Sequence, residues 1–143
     1  MVEISAAAVK ALRDETGLPM MDCKRALQET GGDPEAAKEW LRKHGKAKMT
    51  ARASRATGFG RIGVFADFQS GRGAMVELQC ESAPVANNEE VIQFAEALAR
   101  QLALGPGAER PEDLLAQPSP IRPGQTLQDQ MDDLMNRIRE VFR

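Results

Sequence analysis

The segment TGLPMMDCKRAL, residues 16–27, decides how the first part of the chain folds. Gly17 and Pro19 end one helical pattern and open the next, because glycine accepts the left-handed cap conformation and proline pre-sets the first helical turn. Met20 and Met21 then lie side by side at the corner. Helical periodicity calls for one buried residue here, so we expect at least one methionine to face outward, where methionine suits adaptable contact surfaces. The alternative is that both belong to the core.

Three short helices are predicted in residues 1–45. Ser5 is the expected N-cap of the first helix, and Asp33 before Pro34 begins the third. Glycines are expected to end the helices in turn, at Gly17, Gly31 and Gly45. Apolar residues recur at helical spacing. They are Val9 and Leu12 in the first helix, Met21, Cys23 or Lys24, Ala26 and Leu27 in the second, and Ala36, Ala37, Trp40, Leu41 and His44 in the third, with Trp40 expected in the core. A module of this size is close to the lower limit for independent folding.

The composition is that of a soluble globular protein, with 28% charged and 42% hydrophobic residues in 143. No stretch approaches the roughly 18 to 20 apolar residues of a membrane span. Glu3 and the amphipathic run after it do not resemble an export signal, so we expect a cytoplasmic protein. Cys23 and Cys80 are far apart and His44 is the single histidine. We therefore expect buried free thiols, no metal site and no cofactor.

Positive charge is concentrated in the middle of the chain. No acidic residue occurs between Glu39 and Asp67, and the basic residues in that interval are Arg42, Lys43, Lys46, Lys48, Arg52, Arg55 and Arg61. Such a run can contact RNA phosphates or an acidic protein face, but a solvated linker explains it equally well. We favour a linker over residues 46–60, and the net charge of −2 argues against a dedicated nucleic-acid binder.

The second half of the chain predicts a hairpin covered by helices. Two apolar or alternating runs in residues 61–80 predict antiparallel strands, with Gly71 or Gly73 in the turn. A helix is expected over residues 88–104 and another over 126–142. Residues 105–125 contain five of the eight prolines and predict a loop with a single helical turn near residues 111–115. The predicted fold class is α+β, with a helical module at 1–45, a linker at 46–60 and a core at 61–143.

Residues 16–27 resemble the N-terminal signature of translation elongation factor Ts, in which the family pattern reads TGAGMMDCKKAL. The resemblance covers the whole chain and is strongest at residues 1–45 and 74–102. It implies a ubiquitin-associated-like module followed by the first part of the elongation factor Ts core, in which a helix like the last one here leads into a further strand. The chain thus resembles the front portion of a family member, either a fragment or a shortened paralogue.

The resemblance also implies a function. A protein of this kind binds elongation factor Tu in its GDP-bound form and promotes GDP release, a guanine nucleotide exchange in translation elongation that is not enzymatic catalysis. The residues implied to contact the partner are Leu12, Thr16, Gly17, Met20, Met21, Asp22 and Lys24. A soft apolar pair followed by alternating charge suits a protein groove better than a nucleic acid.

A second implied site is the corner between strand and helix at residues 79–90, which in the family reads close to CxTDFVARNEEF. The family's Asp-Phe pair presses between helices of the GTPase and shifts the loops that hold Mg²⁺ and phosphate. This chain has Ser82, Ala83 and Pro84 in place of Thr, Asp and Phe, whereas Val85 agrees. We expect Pro84 to hold the corner extended as a smaller apolar projection. The alternative is a plain connecting loop.

Other functions remain open from the residues alone. His44 has no evident nucleophile or orienting partner, and no GxxxxGK[ST] phosphate loop occurs, so an enzyme is not predicted. A non-exchanging adaptor, in which the helical module alone recognises a protein, is favoured by the altered corner. RNA association through residues 42–61 is a third hypothesis. An exposed edge of the thin sheet would allow pairing with a missing domain or a second copy of the chain.

Overall fold

A computed structural model describes residues 3–143 of the chain. Backbone contacts divide it into two compact units, one ending at Arg52 and the other spanning Ala53–Arg143. The predicted limits of the module at residue 45 and of the core at residue 61 stay predictions.

The first unit consists of the three predicted helices, α1 (Ala6–Thr16), α2 (Met20–Glu29) and α3 (Pro34–Thr50). The Ser5 hydroxyl accepts a hydrogen bond from the backbone N–H of Ala8 and caps α1, and the Asp33 carboxylate caps α3. The core is small and apolar and contains Val9, Leu12, Leu18, Cys23, Ala26, Leu27, Ala37 and Leu41. The predicted core position Trp40 is only partly buried, packing against this cluster and stacking on the His44 ring at a centroid distance of 3.6 Å.

Helix α3 is longer than the sequence predicts. The expected end at Gly45 was wrong, because the helix passes through this buried glycine and continues to Thr50. A glycine inside a helix costs about 1 kcal/mol relative to alanine, and the Lys, Ala and Met residues that follow it are good helix formers that carry the helix onward. Residues 46–50 of the predicted linker are therefore helical.

The second unit is built on one antiparallel hairpin of strands β1 (Phe59–Asp67) and β2 (Arg72–Cys80). The hairpin is confirmed, although β1 begins two residues earlier than predicted. Gly71 has φ 69° in the turn. One face of the hairpin lies so close to helix α5 (Glu89–Leu104) that a Cβ atom at Gly63 would lie 2.0 Å from the Ala95 carbonyl oxygen.

Helices cover that same face of the hairpin and complete an α+β fold, as predicted. Between β2 and α5 lies the one-turn helix α4 (Ala83–Ala86), and α6 (Pro111–Leu115) and α7 (Leu127–Ile138) follow α5. Thr126 and Asp129 form a capping box at the start of α7. The largest members of the core are Leu78, Phe94, Leu98, Leu114, Leu127, Met131, Leu134 and Phe142.

The end of the chain departs from the predicted helix 126–142. Helix α7 ends at Ile138, because Arg139 adopts the left-handed conformation with φ 64° and φ of this sign ends a helix. Residues 140–143 then run beside β2. The backbone N–H of Gln79 donates to the Arg143 carbonyl oxygen at 2.7 Å, and the Arg143 N–H donates back at 3.1 Å.

Cys23 and Cys80 are buried free thiols, as predicted. Within residues 3–143, no helix is both long and apolar enough to cross a membrane. The same residues contain no cluster of three or more His, Cys, Asp or Glu side chains arranged to hold a metal ion.

Candidate protein-binding site

The first turn of α2 exposes two methionines. Met20 is 49% exposed and Met21 is 71% exposed. The helix directs Cys23, Ala26 and Leu27 into the core at a spacing of three and four residues, and Met21 lies off this face. Met20 lies three residues before Cys23, on the side of the buried face at the start of the helix, and is the less exposed of the two. The expectation that at least one methionine faces outward is confirmed, and the alternative that both belong to the core is excluded.

The charged residues after the methionines lie on the same helix. Both carboxylate oxygens of Asp22 accept hydrogen bonds from the Lys48 Nζ at 3.2 Å, and Lys24 is exposed. The pair joins α2 to the unpredicted extension of α3. Sequence reasoning missed Lys48, because it lies 26 residues from Asp22 in a segment predicted to be a linker.

The other three predicted contact residues shape the corner before α2. Leu12 is 2% exposed, so it supports the corner from the core and presents no surface of its own. The Thr16 hydroxyl donates to the Leu12 carbonyl oxygen at 2.7 Å and accepts from the Leu18 N–H at 3.3 Å. Gly17 has φ 67°, and its N–H donates to the Arg13 carbonyl oxygen at 2.8 Å. These residues fix where Met20 and Met21 stand.

The second predicted site, residues 82–85, has a different shape from the one expected. The prediction that Pro84 holds the corner extended was wrong, because Ala83–Ala86 form the helical turn α4. Proline is well accommodated in the first turn of a helix, where its missing N–H has no partner to lose. Pro84 is exposed, Ala83 is half-buried, and Val85 packs in part against the core.

One carboxylate holds this corner from the far end of the chain. Glu140 Oε2 accepts hydrogen bonds from the backbone N–H groups of Glu81 at 3.0 Å and Ser82 at 3.1 Å, and the Ser82 hydroxyl donates to Oε1. In return, the Val141 N–H donates to Glu81 Oε1 at 2.7 Å. Sequence reasoning placed Glu140 inside the last helix and so missed this role.

The thiol of Cys80, at the end of β2, donates a hydrogen bond within the same corner. Cys80 Sγ donates to the Ser82 carbonyl oxygen at 3.4 Å. Burial raises the pKa of the Cys80 thiol, and the carboxylates of Glu140 and Glu81 add to the shift. The thiol is therefore protonated at neutral pH and is not a nucleophile.

Known proteins are similar in sequence to nearly all of this chain. The chain is 45% identical to elongation factor Ts of Solidesulfovibrio magneticus over 144 residues, which is 100% of this chain and 64% of that protein. It is homologous to elongation factor Ts. It is also 45% identical to elongation factor Ts of Chloroherpeton thalassium, with 98% of this chain and 48% of that protein covered. For elongation factor Ts of Rhodospirillum centenum the identity is 44%, with 98% and 44% covered.

No family model matches the chain. The chain spans about half to almost two thirds of the length of these elongation factor Ts relatives.

Several basic residues of this elongation factor Ts homologue already have polar partners within their own unit. Lys43 lies 3.0 Å from the Glu39 carboxylate, and Lys48 pairs with Asp22. In the second unit, Arg55 lies 3.5 Å from the Glu81 carboxylate, and the Arg61 guanidinium donates to Asn87 Oδ1 at 3.4 Å. These pairings account for part of the basic run without RNA.

Proposed function

We propose that this chain binds elongation factor Tu in its GDP-bound form and promotes release of the nucleotide. The observation that carries the proposal is the exposed pair Met20 and Met21, presented by a segment that matches the elongation factor Ts signature. Homology at 45% identity to elongation factor Ts proteins supports it. The cytoplasm, where translation takes place, is the compartment that the proposal requires.

Docking would use the first turn of α2. Two flexible thioether side chains can fit an irregular apolar groove, and methionine is the residue that adapts most readily to such a surface. Lys24 and the Asp22–Lys48 pair lie beside them and would orient the contact by charge. Leu12, Thr16 and Gly17 would act indirectly, because they hold the corner from which α2 begins.

Exchange would follow from linkage between two ligands of one GTPase. If this chain binds best to a conformation of the GTPase that holds GDP poorly, each ligand weakens the binding of the other by the same factor. The residues proposed to favour that conformation are Ser82, Ala83, Pro84 and Val85, near the Mg²⁺ region of the partner. This function needs no covalent step and no cofactor.

A second candidate function is a non-exchanging adaptor. It is favoured by the chemistry of α4, which exposes Pro84 but presents neither a carboxylate nor an aromatic ring at positions 82–85. An adaptor would keep the docking surface of α2 and would leave the nucleotide affinity of its partner unchanged.

The deciding experiment is stopped-flow release of a fluorescent GDP analogue from elongation factor Tu, with and without this chain. The double variant Met20→Ala, Met21→Ala tests the docking surface. Met75→Ala is the matched control, because Met75 is 68% exposed on β2 in the other unit. If the chain is an exchange factor, it should accelerate release of the GDP analogue. The double variant should lose this acceleration, and Met75→Ala should retain it. Binding without faster release would favour the adaptor, and absence of both would overturn the proposal.

A further inference from the structure

We propose that Glu140 is a positioning residue for the corner formed by residues 82–85. The inference rests on the proposed exchange function, in which that corner acts on the partner GTPase. Glu140 lies 58 residues from Ser82 in the chain. Its carboxylate accepts hydrogen bonds from three donors, which are the N–H groups of Glu81 and Ser82 and the Ser82 hydroxyl.

The end of α7 places the carboxylate. The helix ends at Ile138, and Arg139 takes the left-handed conformation, which turns the chain back toward β2. Backbone hydrogen bonds of Arg143, three residues after Glu140, hold this part of the chain beside β2. Arg143 exchanges two backbone hydrogen bonds with Gln79, at 2.7 and 3.1 Å. The carboxylate is thus fixed from both directions along the chain.

The corner needs an acceptor from elsewhere. Strand β2 ends at Cys80 and α4 begins at Ala83, so the N–H groups of Glu81 and Ser82 lie between the sheet and the helix. Ser82 stands at the N-cap position of α4, but its side chain makes no cap hydrogen bond within the helix. Its hydroxyl donates to Glu140 instead. Hydrogen bonds to an ionised carboxylate are about twice as strong as neutral ones, so Glu140 sets the direction in which α4 leaves the sheet.

Glu140 acts through the corner and not by touching a partner directly. It is half-buried, and both of its oxygens are engaged by Glu81 and Ser82. Pro84, two residues further on, is the exposed part of the corner. Removing the carboxylate should therefore change the effect of the corner on the GTPase while the docking surface of α2 keeps its affinity.

The test compares Glu140→Ala and Glu140→Gln with the wild-type chain. Glu109→Gln is the matched control, because Glu109 is an exposed carboxylate of the same unit. Amide hydrogen exchange at residues 81 and 82, measured by NMR, reports the order of the corner. The GDP release rate at saturating chain and the Kd for elongation factor Tu·GDP report its function.

For Glu140→Ala we expect amide exchange at least tenfold faster at residues 81 and 82, at least a fivefold loss of stimulated GDP release, and a Kd within twofold of wild type. Glu140→Gln, which keeps one oxygen acceptor, should lie in between, and Glu109→Gln should match wild type. If circular dichroism shows that Glu140→Ala does not fold, the comparison of Glu140→Gln with Glu109→Gln is the deciding test.

The outcomes separate this inference from the proposed function. If amide exchange at residues 81 and 82 is faster in Glu140→Ala but stimulated GDP release is unchanged, the positioning role is wrong. The proposed exchange function would then still hold. A Kd that weakens in parallel with release would also overturn it, because a purely structural loss affects both. If the wild-type chain does not stimulate release although amide exchange at residues 81 and 82 is slow, the exchange function itself is wrong and this inference falls with it.

Discussion

Replacing Met20 and Met21 together by alanine should weaken binding of elongation factor Tu·GDP about 30-fold. The exposed fractions, 49% and 71%, mean that complete docking would bury slightly more than one whole methionine side chain. Burying a methionine side chain contributes about 1.5–3 kcal/mol, and alanine retains a small part of that, which leaves a loss of about 2 kcal/mol. Since every 1.4 kcal/mol is about tenfold in Kd, the loss corresponds to roughly 30-fold.

The affinity is measured by isothermal titration calorimetry against elongation factor Tu·GDP. Both side chains face solvent in the free chain, so the free energy of unfolding of the double variant should lie within about 0.5 kcal/mol of the wild-type value. The single variant Met75→Ala removes a comparably exposed methionine and should bind like wild type. A double variant that binds within twofold of wild type would refute the docking surface, and an equal loss in Met75→Ala would show that the effect is not specific to α2.

Three further predictions concern the second unit. Arg139→Gly should stabilise the chain by about 0.5–1 kcal/mol in thermal unfolding, because glycine adopts the left-handed backbone at φ 64° without the steric strain of a Cβ atom. Arg139→Ala keeps the Cβ atom and should not stabilise the chain. Gly63→Ala should destabilise by about 3 kcal/mol in urea unfolding, because its Cβ would lie 2.0 Å from the Ala95 carbonyl oxygen, and a loss below about 1 kcal/mol would contradict this packing. Arg137 lowers the pKa of Glu90, so the pair stabilises the fold above the ordinary glutamate pKa and the contribution disappears as the pH falls through the lowered value. Glu90→Gln should therefore lose about 0.5 kcal/mol at pH 7 and nothing at pH 2, a difference that pH-dependent urea unfolding can detect.

The features that the sequence predicted well depend on neighbouring residues. Gly17 ends α1 through its own backbone preference, and Asp33 before Pro34 begins α3 in the same way. Pro19 stands at the N-cap of α2, one residue before the first helical turn that the sequence predicted for it. The hairpin followed from alternating apolar residues and a glycine turn. In each case the interaction that decides the structure lies within a few residues, so the local pattern is sufficient.

The features that the sequence did not predict depend on tertiary contacts or on weak local signals. Gly45 was read as a helix end, yet the strong helix formers after it and the Asp22–Lys48 pair accompany a continuous α3. Arg139 ends α7 in a conformation that arginine seldom adopts, and no residue type marked that position. Glu140 could not be connected with Ser82 from the sequence, because the register between residues 140–143 and β2 appears only in the folded chain.

The proposed docking surface and the proposed exchange corner therefore depend on different contacts in this molecule. The exposed methionines depend on short-range contacts inside a three-helix unit with its own core, so this surface should form wherever that unit folds. The corner at residues 82–85 is held by Glu140 and by the backbone pairing of Arg143 with Gln79, and it lacks the carboxylate and the aromatic ring of the elongation factor Ts pattern. A perturbation of residues 139–143 should for this reason reduce stimulated GDP release before it reduces binding. A weakened exchange factor would lose stimulated GDP release before it loses binding. An adaptor would bind but would show no stimulated release at any stage.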